Sequence, residues 1–125
     1  RFLRSEFTRP AEARRKFADL GLTAIGAHYG LVEPYQPDII VRDAAGAASV
    51  GAQYLVTSHK GLSPDGRFTP DQLRAKARFL NETGKRCRAE GIRIAYHNHQ
   101  PEFANNSAEI EGLLHALALD DGEPR

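Results

Sequence analysis

Three times along this chain a glycine leads through a short apolar run to a histidine. Gly21 opens Leu22-Thr23-Ala24-Ile25-Gly26-Ala27 and then His28; Gly51 opens Ala52-Gln53-Tyr54-Leu55-Val56-Thr57 and, after Ser58, His59. Gly91 opens Ile92-Arg93-Ile94-Ala95-Tyr96 and then His97, with His99 two residues on. Ahead of each glycine, apolar residues recur at the three-to-four spacing of a helix face. Glycine accepts the left-handed backbone that ends a helix, so each unit reads as helix, stop, strand. The glycines stand 30 residues apart (21 to 51) and then 40 (51 to 91), a βα-unit period rather than a solenoid repeat. Strands alternating with helices of this length imply right-handed crossovers and a parallel sheet. Such a sheet sends the carboxyl end of every strand to one edge, where α/β proteins bind ligands. His28, His59, His97 and His99 are therefore expected at that edge together.

The first helix is expected over 8–20, with Thr8 as cap, Pro10 in the first turn, and Ala13, Phe17 and Leu20 on the apolar face. Arg14, Arg15 and Lys16 form its solvated side. A strand over 22–28 and a loop over 29–37 follow, the loop holding Tyr29 and Glu33 as minor candidates. Asp38 is the expected cap of a helix to about Val50, with Ile39, Val41 and Ala45 in its apolar stripe. The next strand spans 52–57, and the loop after it carries His59 and Lys60. The clearest helix is 70–90, where Thr69 and Gln72 have capping-box spacing around Pro70. Leu73, Ala77, Leu80, Gly84 and Cys87 line one side of it, while Arg74, Lys76, Arg78, Lys85, Arg86 and Arg88 project elsewhere. A polar run, 104–107, leads into a last helix to about 119 with Ile110, Leu113, Leu114 and Leu117 buried; His115 on that helix has no assigned role.

The third strand carries the densest chemistry. Alternate side chains of an extended chain share a face, so Ile92, Ile94 and Tyr96 point one way and Arg93, Ala95, His97 and His99 the other. Two neighbouring imidazoles followed by the carboxylate of Glu102 suit a divalent cation or a proton-transfer site. Hydrogen-bonded strand-end residues are the plainer alternative. The 125 residues fit a single domain, 1–125. Seventeen basic against sixteen acidic residues leave a net charge of +1, without the broad basic face that nucleic-acid binding needs. No run of about 18 apolar residues offers a membrane span. The single cysteine, Cys87, cannot form an internal disulfide and reads as a small buried residue, so a reducing, cytoplasmic setting is expected. The chain opens on Arg1 and contains no methionine, which leaves an upstream signal peptide open.

The stretch Gly91-Ile92-Arg93-Ile94-Ala95-Tyr96-His97-Asn98-His99-Gln100-Pro101-Glu102-Phe103 resembles a characteristic strand of the sugar phosphate isomerase/epimerase family, the xylose-isomerase-like barrels. Leu80-Asn81-Glu82-Thr83-Gly84-Lys85, Gly21 to His28, and Gly51 to Val56 resemble it in the same order and spacing, so the likeness covers roughly 8–119. Within that family the stretch looks like the inosose-dehydratase-like and uncharacterised sugar-isomerase branches. The resemblance implies an α/β fold, a partial (β/α)8 TIM barrel whose strands correspond to about the third to fifth of eight. A barrel of this kind needs about 250 residues, so a fragment, a shortened chain or self-association as a homo-oligomer is expected.

For function, the resemblance implies a metal-dependent isomerase or epimerase, or a related dehydratase. It would act on a small keto sugar, sugar phosphate or polyol through proton transfer and an enediolate-like intermediate. The cofactor would be a divalent metal (Mn, Co, Zn or Mg), with His97 and His99 as its ligands here and the others outside this segment. His97 stands where many relatives have glutamate, which favours softer ions. Glu102 and His28 are the implied catalytic residues, and His28, His59, Lys60 and His99 the implied substrate contacts. Glu102 has a salt bridge or a helix cap as its alternative. An abasic-site DNA endonuclease of the same barrel superfamily and a non-catalytic barrel remnant stay open.

Overall fold

The computed structural model describes residues 9–31 and 34–121, with side chains up to residue 117. In chain order the elements are α1 (Pro10–Asp19), β1 (Gly26–Gly30), α2 (Pro37–Val50), β2 (Tyr54–Ser58), α3 (Pro70–Ala89), β3 (Arg93–His97) and α4 (Gln100–Asp121). The strands form one parallel sheet in the order β1-β2-β3. Its register sets Gly26, Tyr54 and Arg93 in one row, His28, Val56 and Ala95 in the next but one, and Gly30, Ser58 and His97 two further on.

Gly21, Gly51 and Gly91 all adopt positive φ, as their stop positions require. The strand after Gly21 begins later than its composition suggests. Leu22 and Ile25 are 57% and 69% exposed, and pairing starts only at Gly26, opposite the first residue of β2. A strand exists where a partner offers hydrogen bonds, and β2 itself cannot begin until α2 has ended at Gly51. His28 consequently lies in the middle of β1, and Tyr29 belongs to the strand rather than to a loop.

The core lies on one face of the sheet. Ala27, Leu55 and Ile92 are buried there against Ile40, Ala44 and Ala47 of α2, Ala77, Phe79, Leu80 and Cys87 of α3, and Leu113 of α4. On α3, Thr69 accepts the Gln72 N–H at 3.2 Å and donates its own N–H to the Gln72 side chain at 2.8 Å, completing the capping box.

Several helix-face expectations are corrected. Leu20 and Leu114 are 72% and 61% exposed, because the faces of α1 and α4 that meet the neighbouring elements are held by Ala13 and by Glu109 with Leu113. α2 starts from Gln36 with Pro37 in the first turn, so Asp38 does not cap it; its carboxylate instead meets Arg86 of α3 at 2.6 Å. Ile40, Ala44 and Ala47, at i, i+4 and i+7, form the buried stripe of α2, while Ile39, Val41 and Ala45 are half-buried beside it. Thr8 and Glu33 lie outside the described residues.

The largest correction is Lys76, which is fully buried. Its ammonium lies 2.5 Å from Glu109 and 3.6 Å from Glu102, both also fully buried. The polar run before the last helix proves to be a break inside it. Ala104 is extended, and Asn105, Asn106 and Ser107 have φ of 52°, 56° and 61°. Asparagine is among the side chains that tolerate this left-handed region best.

Candidate functional site

The sheet face away from the core carries the candidate residues. His28 projects from β1 and His97 from the end of β3, one on either side of Val56 and Ser58 of β2. Their rings meet edge to face, with centroids 5.3 Å apart. His99, two residues past the strand, brings its ring to 4.9 Å from that of His97. All three are exposed. The structure therefore joins His28, His97 and His99 at the carboxyl rim.

His59 does not join them. It follows β2 directly and is 9% exposed, its ring tilted against Tyr35, which in turn stacks on Phe79 at 4.5 Å. What His59 gives the rim is its backbone carbonyl, 2.8 Å from Nδ1 of His99. A carbonyl oxygen only accepts, so Nδ1 of His99 carries a proton, and in the neutral ring it is Nε2 that then holds the lone pair. That tautomer is the one a metal ligand or a proton acceptor needs.

Glu102 sits below this surface. It occupies the third position of α4 and reaches back to accept the backbone N–H of His99, the carboxylate half of a capping box. Its other oxygen accepts the hydroxyl of Tyr96. Burial, and then the hydrogen bond to Glu102, push the Tyr96 phenol far above its ordinary range, so it stays a donor. With its side chain fully buried and both oxygens engaged, Glu102 orients His99 rather than facing the rim.

Lys60 is exposed at the mouth of a cleft of about 400 Å³ formed with Gly61, Leu62, Ser63, Pro64, His99 and Pro101. Beyond the cleft the β2–α3 loop packs closely on α4. Gly66 has φ +73°, and a Cβ there would lie 2.6 Å from the Ala104 carbonyl oxygen. A separate cavity of about 330 Å³ opens beside β1 and α2, where none of the candidate histidines lines it. Tyr29 lies on that side, and His115 is exposed on α4.

Two imidazoles from one strand end, one of them with its Nδ1–H engaged by a backbone carbonyl, fit a divalent cation as part of a ligand set. Among the described residues no group of three or more His, Cys, Asp or Glu is placed to complete such a set.

Sequence reasoning missed Lys76, Glu109 and the phenol of Tyr96. A signal existed: Lys76 stands three residues after Leu73 and four before Leu80, inside the apolar stripe, and Glu109 stands four before Leu113.

This architecture matches a solved protein. A crystal structure of a sugar phosphate isomerase/epimerase from Parabacteroides distasonis superposes on 86% of this chain with a TM-score of 0.63 at 17% sequence identity. The chain has that protein's fold. It is an α/β arrangement corresponding to part of a TIM barrel, and it spans 43% of the solved protein's length. No family model matches the sequence, and no curated protein matches it either.

Proposed function

We propose that this chain contributes the rim of a sugar isomerase or epimerase site, with a related dehydration as the alternative outcome of the same proton transfer. The observation that carries this reading is the bond from His99 Nδ1 to the His59 carbonyl, which sets the tautomer of an exposed imidazole beside two others. The shared fold with a sugar phosphate isomerase/epimerase supports it.

In this reading His97 and His99 hold a divalent cation, the remaining ligands coming from outside the described residues. When bound, such a cation polarises carbonyl and hydroxyl oxygens as a Lewis acid. His28 faces the same space and moves a proton to or from the substrate, a task that suits imidazole near neutral pH. Lys60 and the cleft beside it hold the far end of a polyol or keto sugar. Glu102 keeps His99 in register from below, with no direct role in bond making.

The test is solvent-deuterium incorporation into a panel of keto sugars, sugar phosphates and inososes, using chelated protein resupplied in turn with Mn, Co, Zn or Mg. Exchange at a carbon next to a carbonyl, restored by one of the metals and lost in His28→Ala, supports the proposal. Nicking of abasic DNA without sugar exchange would instead indicate an endonuclease, and neither activity would leave a non-catalytic barrel segment.

A further inference from the structure

We propose that Lys76 is a positioning residue for both walls of this rim. One buried ammonium, gripped by Glu109 and Glu102, fixes the backbone of the loop that carries Lys60 and the backbone of His99. This rests on the proposed function only in treating the rim as a site.

Each carboxylate is divided between the ammonium and a rim segment. Glu109 places Oε1 2.5 Å from Lys76 Nζ, while its Oε2 accepts the Leu62 N–H at 2.8 Å, two residues past Lys60. Glu102 places Oε1 3.6 Å from the same Nζ, while its Oε2 accepts the His99 N–H. Lys76 Nζ also lies over the Tyr96 ring, 5.0 Å from its centroid. The cleft beside Lys60 and His99 is therefore bounded by two segments that share one anchor.

The broken helix makes this convergence possible. On an uninterrupted α-helix, residues 102 and 109 would be separated by about 10 Å of rise. The left-handed turn at 105–107 folds the second half of α4 back, so that both glutamates reach one lysine. Stability alone does not explain the arrangement, because an apolar trio of similar volume usually serves a core at least as well as a buried ion cluster. An apolar trio could not, however, accept the N–H groups of Leu62 and His99. Without the cation the two buried carboxylates repel each other and draw both walls apart.

The test uses the full chain labelled with ¹⁵N, comparing wild type with Lys76→Met and with Lys76→Met/Glu109→Gln, the latter removing one charge of each sign. If Lys76 positions the rim, the folded variant keeps amide protection in β2. Its Leu62 and His99 amides exchange at least about tenfold faster, and its His99 ring shifts from the Nδ1–H tautomer to a mixture; Zn²⁺ affinity falls about 10- to 100-fold. A folded variant with the His99 tautomer and both amides unchanged overturns the proposal. Should neither variant fold, hydrogen exchange of the wild type at graded urea decides. Leu62 and His99 must then share one opening event, and separate openings overturn the idea. None of these readouts depends on turnover, so an inactive protein would sink the proposed function while leaving this test intact.

Discussion

Nδ1 of His99 lies 2.8 Å from the backbone oxygen of His59, which joins the end of one strand to the end of its neighbour across the rim. The contact uses a side chain on one partner and only the main chain on the other. The two histidines should therefore respond to substitution in opposite ways.

His99→Phe keeps a ring of similar size but removes both nitrogens. Deuterium exchange and metal affinity should fall by about 10- to 100-fold or more, with little change in thermal midpoint. His59→Ala leaves the carbonyl in place and empties space beside Tyr35. It should lower stability by roughly 1–3 kcal/mol and preserve exchange activity per folded molecule. Urea titration alongside the exchange assay separates the two effects.

Glu102 is buried with Tyr96, His99 and Lys76 as its neighbours. Glu102→Gln keeps an acceptor of the same shape and leaves Lys76 paired with Glu109, so a loss of about 1–2 kcal/mol is expected. Glu102→Ala leaves the phenol and the His99 N–H without their acceptor, and its loss should reach about 3–5 kcal/mol. Equal urea midpoints for the two variants would contradict this account of the cluster.

Two glycines with positive φ should differ in tolerance. At Gly51, with φ +104°, an added Cβ would meet nothing within 4 Å, so Gly51→Ala carries only the backbone penalty of about 1–2 kcal/mol. Gly66→Ala adds a collision with the Ala104 carbonyl and should cost roughly 2–4 kcal/mol. Thermal melts of both variants test the ranking.

Cys87 is fully buried, and that burial pushes its thiol up from 9.0 to about 11. The folded state thus holds this proton more tightly than the unfolded state. Its contribution to stability is complete below about pH 9 and is lost as pH rises through the window from 9 to 11. The urea midpoint of the wild type should fall across that window more than that of Cys87→Ala. A thiol reagent at pH 8 should react only as the chain unfolds.

Local residue pattern was enough to specify the alternation of helices and strands, the three glycine stops, the capping box at Thr69 and Gln72, and the delivery of His28, His97 and His99 to one rim. These follow from local backbone preference and from strand periodicity, which act over a few residues and are written in residue type. Long-range packing is what turns His59 inward, aims Glu102 down rather than out, and makes Lys76 and Glu109 interior. Periodicity ranks a lysine by its type and assigns it to solvent. A buried charge is stable only where partners from distant parts of the chain converge on it, and here that convergence depends on a helix that breaks at Ala104–Ser107.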